Sequence, residues 1–209
     1  RIELLDEVMM DAINRYADMD HPIKPTLFFE FHGSERSVAE QTENVGEIVS
    51  EFGGSNFQWA TRTEDRNKLW QARHDAFYAA LARKPGAKGW PTDVCVPISC
   101  LTESIVSVKE DIEEHGLLAP IVGHVGDGNY HLAFIVDPDD KAEMEKAKAV
   151  NDRMVARALE LGGTCTGEHG IGYGKIGFLR TEMGEAVSVM HQLKLALDPE
   201  NLMNPGEIF

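Results

Sequence analysis

Apolar positions along the chain switch between helical and strand periods. Leu5, Val8, Ala12 and Tyr16 keep a helical spacing, which predicts a helix over residues 2–18 ending before His21-Pro22. TLFFEF, residues 26–31, is an apolar run long enough for a buried strand and too short for a helix. Ser37 followed by Glu40 reads as a capping box, and Val45, Ile48, Val49 and Phe52 carry that helix to Gly53-Gly54. NFQWA alternates Phe57 and Trp59 as a half-buried strand does, and a long helix is predicted from about Glu64 to Arg83. KPGAKGWP, dense in Gly and Pro, reads as a loop.

The second half has a more informative order. Val94, Val96 and Ile98 alternate, and then Leu101, Ile105, Val108 and Ile112 space a helix that stops at Gly116. Ile121 to Val125 and Tyr130 to Val136 flank Gly-Asp-Gly-Asn, a hairpin signal. Met144, Ala147, Val150, Met154, Ala158 and Leu161 space a helix ending at Gly162-Gly163, and a short strand is expected after it. This gives β-α-β-β-α-β, a ferredoxin-like order. The predicted class is α+β: a ferredoxin-like antiparallel sheet extended by an N-terminal βαβ, with helices packed on it. A last helix (Ala186, Met190, Leu193, Leu197) stops at Asp198-Pro199. No repeat is visible, and no glycine run forms a phosphate-cradling GxGxxG or GxxxxGKS loop.

Hydrophobic residues make up 43% of the chain, enough for a sizeable core. Acidic residues outnumber basic ones 35 to 20, and the formal charge of −15 repels nucleic-acid phosphates and anionic lipids. A nucleic-acid partner is therefore not expected. Cys95, Cys100 and Cys165 lack CxxC spacing, which fits a reducing compartment better than a disulfide framework. No apolar run is long enough for a transmembrane segment. The chain opens on Arg1 inside an element, which suggests a piece of a longer protein.

The chemistry concentrates in two glycine-rich segments. In GHVGDGNYH, a two-residue turn at Asp127-Gly128 would pair His124 with His131 on one face, with Cβ atoms about 4.5–5.5 Å apart. Two converging imidazoles suit a divalent transition metal, which also wants a carboxylate. GTCTGEHGIGYG offers Glu168, with His169 beside it as a base. The alternative is two hydrogen-bonded structural histidines on an ordinary hairpin. Arg73 falls on the apolar stripe between Leu69 and Phe77, so it calls for a carboxylate of the chain or of a ligand, unless it snorkels to solvent. Cys165 reads as a buried inert thiol, and Lys175 as a surface residue with contact to an anion as the alternative.

RIELLDEVMM, LWQARHDAFYAAL, WPTDVCVPISC, GHVGDGNYHLAF, CTGEHGIGYGK and LDPENLMNPGEIF together resemble the C-terminal domain of FAD-linked 2-hydroxyacid dehydrogenases of the vanillyl-alcohol oxidase type. The nearest branches are the cytochrome-linked D-lactate dehydrogenases and the glycolate oxidase flavin subunit. The resemblance implies that residues 1–209 form the substrate and cap domain of such an enzyme, without its N-terminal FAD-binding domain. It implies oxidation of a D-2-hydroxy acid, such as D-lactate or glycolate, to the 2-oxo acid. His124, His131 and Glu168 would hold zinc or manganese, His169 would take the hydroxyl proton, Arg73 would pair with the substrate carboxylate, and Asn204 would face the FAD. It further implies an electron acceptor (a cytochrome, a quinone or a flavoprotein), a cytoplasmic site free or peripheral to the respiratory membrane, and inactivity of this chain alone. Without the resemblance, the residues also suit a stand-alone metal-dependent hydrolase or a non-catalytic module that binds a small acid.

Overall fold

The computed structural model describes residues 1–55, 57–60 and 62–209. Its sheet has the order β2-β1-β5-β6-β3, with β4 paired to β6 off that path, and every pairing is antiparallel. The strands are β1 (Ile2–Leu5), β2 (Thr26–Phe29), β3 (Lys88–Pro91), β4 (Val94–Cys95), β5 (Ile121–Gly123) and β6 (Asn129–Val136). The helices are α1 (Glu7–Ala17), α2 (Glu35–Glu51), α3 (Thr63–His74), α4 (Ala76–Ala82), α5 (Leu101–His115), α6 (Lys141–Glu160), α7 (Ile176–Met183) and α8 (Ala186–Leu197). The α+β class and the β4-α5-β5-β6-α6 order match the sequence pattern. Among the described residues no helix is long and apolar enough to cross a membrane.

The period-2 rule explains why β6 is buried on both faces. Its even positions, Tyr130, Leu132, Phe134 and Val136, join Val108 and Ile112 of α5 and Val150 and Met154 of α6 in one core. Its odd positions, Ala133 and Ile135, join Leu5 of β1, Met9 and Ile13 of α1, and Ala76, Ala79 and Ala80 of α4 in the other. The sheet therefore lies between two helical layers. His131 is an odd residue of β6 and looks toward the α1/α4 layer.

Several expectations are corrected. Residues 2–5 are a strand, not the first turn of a helix over 2–18. Asp6 is extended (ψ 174°) and accepts a 2.7 Å bond from the Met9 amide, so the helix starts only behind this cap. The N-terminal extension of the sheet is thus β1-α1-β2. In the strand expected at NFQWA, Asn56 lies outside the described residues and 57–60 take no regular form. The cap of α2 is Ser34, which accepts from the Ser37 amide, rather than Ser37.

The long helix expected from Glu64 to Arg83 breaks at Asp75, where ψ near zero (−1°) turns α4 away from α3. The KPGAKGWP loop is a strand in its second half. Its Gly89 lies under the Phe77 ring, where a Cβ would come within 2.5 Å of Cζ, and Pro91 is tolerated because β3 is an edge. The strand expected after α6 shrinks to one bridge between Thr164 and Cys95. Helix α7 has no counterpart in the sequence pattern.

The hairpin also differs from its expected register. Val122, not His124, sits opposite His131, and a short 3-10 turn at Val125–Asp127 replaces the two-residue turn. Gly128 closes it with φ 80°, at a point where a Cβ would meet the Val96 carbonyl at 2.0 Å. A slip of two residues preserves side-chain parity, whereas a slip of one would have sent His124 to the other face.

A candidate metal and substrate site

The parity rule brings His124 and His131 together, with ring centroids 5.8 Å apart. The Nδ1 of His131 donates to the Thr92 carbonyl at 2.9 Å, and the Nδ1 of His124 donates to the Glu3 carboxylate at 2.7 Å. With both Nδ1 atoms so used, each ring turns an Nε2 lone pair inward. These meet Glu168 Oε1 at 3.0 Å from His131 and 3.4 Å from His124. Neutral imidazoles with their second nitrogen hydrogen-bonded, converging with a carboxylate, are the donor set a divalent transition metal takes. Burial holds the His131 imidazole below its usual pKa, which keeps its lone pair free at neutral pH.

Asp93 places Glu168. Its Oδ2 accepts from the amides of Gly167 (2.9 Å), Glu168 (3.1 Å) and His169 (2.9 Å) and from Thr166 Oγ1 (2.7 Å), while its Oδ1 accepts from Asn129 Nδ2 (2.7 Å). Burial works against the charge, but these donors outweigh it and hold the carboxyl well below the ordinary range. Lys175 adds a bond of 3.0 Å to the Asp93 carbonyl. It also lies 3.4 Å from the Asp93 carboxylate, so the anion-contact alternative holds and the surface reading is corrected. A second possible cluster, Asp93, His131 and His169, suits a metal less well, because the Asp93 oxygens and His131 Nδ1 already serve these bonds.

The turn that presents Glu168 also lays the His169 ring on that of His131, centroids 4.8 Å apart and 11° from parallel. His169 keeps 43% of its side-chain surface exposed, so it can be reached from solvent. Arg73 is 15% exposed and pairs with Glu3 through Nε (3.0 Å) and Nη2 (2.9 Å). The own-chain carboxylate demanded by its position on the apolar stripe is thus Glu3, and Nη1 is not engaged in that pair. A cleft of about 290 Å³ joins Arg73, His124, His131, Glu168 and His169, with Phe77, Pro91 and Ala133 as apolar wall. Asn204 is not among its lining residues. It lies in an exposed turn of the C-terminal tail with φ 46°.

Sequence reasoning missed Glu3 and Asp93. Glu3 is fully enclosed, and reading IELL as a strand would have placed that carboxylate inward beside Leu5. Cys165 is fully buried, and burial pushes its thiol up to about 12, in keeping with an inert role.

A family model described as "FAD linked oxidases, C-terminal domain" matches residues 1–208. The chain is 51% identical over 209 residues to a probable mitochondrial D-lactate dehydrogenase of Danio rerio, covering all of this chain and 42% of that protein. It is 43% identical over 209 residues to a mitochondrial D-lactate dehydrogenase [cytochrome] of Arabidopsis thaliana, covering 100% and 37%. It is 31% identical over 211 residues to glycolate oxidase subunit GlcD of Bacillus subtilis, covering 100% and 44%. The chain thus spans less than half the length of these relatives. Among solved structures, 4-ethylphenol oxidase from Gulosibacter chungangensis in its isoeugenol complex shares the fold, with a TM-score of 0.73 at 15% identity, over 99% of this chain and 47% of that one.

Proposed function

The chain belongs to the C-terminal domain family of the FAD linked oxidases, and from that premise we propose that it is the substrate- and metal-binding domain of an FAD-dependent enzyme oxidising a D-2-hydroxy acid to the 2-oxo acid. The observation that carries the proposal is the meeting of the His124 and His131 lone pairs with Glu168 at the mouth of a cleft holding a base and an arginine. The names of the D-lactate dehydrogenase and glycolate oxidase relatives support the substrate class. His124, His131 and Glu168 would hold zinc or manganese, which would supply Lewis acidity at a hydroxyl oxygen, and FAD on a companion domain would supply the acceptor for the hydride lost from C2.

The chain's own residues do the rest. The unengaged edge of the Arg73 guanidinium takes the substrate carboxylate, a charge-assisted pairing that orients C2. His169 Nε2 receives the hydroxyl proton, and its stacking on His131 holds it beside the ligand set. Phe77, Pro91 and Ala133 exclude water from the substrate's carbon side and suit a short aliphatic chain. The companion domain covers the exposed Leu193, Leu197 and Leu202 of α8 and the tail, where Asn204 would meet the flavin. The final electron acceptor would be a cytochrome, a quinone or a flavoprotein.

Steady-state kinetics and metal analysis on the full-length enzyme with D-lactate and glycolate test this reading. His169→Ala is expected to lower kcat by about 10²–10⁴-fold with the metal retained, whereas His131→Ala loses the metal. A near-normal kcat for His169→Ala at every pH, or loss of the metal from it, contradicts the assigned roles.

A further inference from the structure

Glu3 is a fully enclosed carboxylate in the middle of β1, and its two oxygens face different parts of the site. Oε1 accepts from His124 Nδ1 and from Arg1 Nε, both at 2.7 Å. Oε2 accepts from Arg73 Nε at 3.0 Å and Nη2 at 2.9 Å. β1 lies between β2 and β5, with Glu3 itself paired to Phe28 of β2 and the next residue, Leu4, paired to Gly123 of β5, so the carboxylate is carried by a strand anchored in the sheet.

We propose that Glu3 is a positioning residue shared by metal and substrate: it sets the tautomer of His124 and the plane of the Arg73 guanidinium at once. This rests on the metal reading above. With its Nδ1–H given to Glu3, His124 must keep the lone pair on Nε2, the atom that faces Glu168 at 3.4 Å. Holding Arg73 by Nε and Nη2 leaves Nη1 as the donor for an incoming carboxylate. A glutamine here cannot serve both neighbours. Its single acceptor oxygen can satisfy His124 or Arg73, and its amide group then points N–H at the other. If the amide faces His124, Nδ1 must become the acceptor and Nε2 takes the proton, closing that ligand position.

A simple buried counter-ion for Arg73 would make a different prediction. Its loss would reduce stability but leave the His124 tautomer and the metal affinity of the folded protein unchanged. The test uses ¹⁵N-histidine labelled, chelator-treated protein at pH 8, with the His124 ring nitrogens read by NMR and Zn²⁺ and Mn²⁺ binding read by calorimetry. The wild type is expected to show Nδ1–H on His124. Glu3→Gln is expected to shift part of the population to Nε2–H and to weaken metal binding by about 10–100-fold, in protein whose circular dichroism remains native.

Unchanged affinity in folded Glu3→Gln overturns the positioning role alone. Failure of the wild type to bind either ion overturns the metal reading and this inference with it. Should Glu3→Gln not fold, the wild-type spectrum decides: Nδ1–H on His124 supports the role, and Nε2–H overturns it.

Discussion

Gly167 shows how tightly the turn bearing Glu168 and His169 is seated. A Cβ at this position would lie 1.9 Å from Asn129 Nδ2 and 3.1 Å from Asp93 Oδ1, inside the hydrogen bond that joins those two side chains. Gly167→Ala is therefore expected to push Asn129 off Asp93, cost about 1–3 kcal/mol as overpacking does, and reduce metal uptake. Gly172→Ala, where nothing lies within 4 Å and the backbone is extended, should change neither. Thermal unfolding and metal content of the two variants check this, and equal behaviour would contradict it. At this scale the site was legible where residues crowd together in sequence. His124 and His131 share one segment, and Glu168-His169 stand between glycines in another. Glu3 and Asp93 were not legible, because they act across 121 and 75 positions and only through burial. No local spacing marks a carboxylate for that role.

At the scale of elements, Asp6 decides where β1 stops and α1 begins. Asp6 followed by Glu7 is a cap with an acidic first turn, a signal present in the sequence but overridden by the apolar period running through Leu5 and Val8. The period misleads because strand and helix feed one core, Leu5 from β1 and Met9 and Ile13 from α1. The long helices α5 and α6 are legible, since their stripes repeat over several turns. The short β3 and the split of α3 from α4 are not, because they depend on Phe77 crossing Gly89.

Burial pushes the Asp6 carboxyl up from 3.8 to about 6, against the lowering effect of the Met9 amide. A raised carboxyl value means the folded state binds the proton more tightly than the unfolded one. The stability linked to that proton is fully present below the ordinary value and is lost as pH rises through the folded value. Unfolding by urea should therefore show a downward contribution to stability between about pH 4 and pH 6. Asp6→Asn keeps an acceptor for Met9, removes that slope, and should be about 1–3 kcal/mol more stable at pH 7. An unchanged slope in the Asp6→Asn protein, or lower stability at pH 7, would argue against this.

At the scale of the molecule, the sheet separates two cores, and β6 serves both while carrying His131 toward the α1/α4 side. β1 brings Glu3 to the same side, the end of α3 brings Arg73, and the turn after α6 brings Glu168 and His169. One cleft thus collects Arg73, His124, His131, Glu168 and His169, with Glu3 enclosed behind Arg73 and His124, and three of these groups could share one ion. The role proposed for His124, His131 and Glu168 is to bind a divalent metal. Anomalous scattering at the zinc edge, from crystals grown with Zn²⁺, tests it most directly. A peak about 2.0–2.2 Å from Nε2 of both histidines and from a Glu168 oxygen is the predicted result. An absent peak, or one seated between Asp93, His131 and His169 instead, would contradict it.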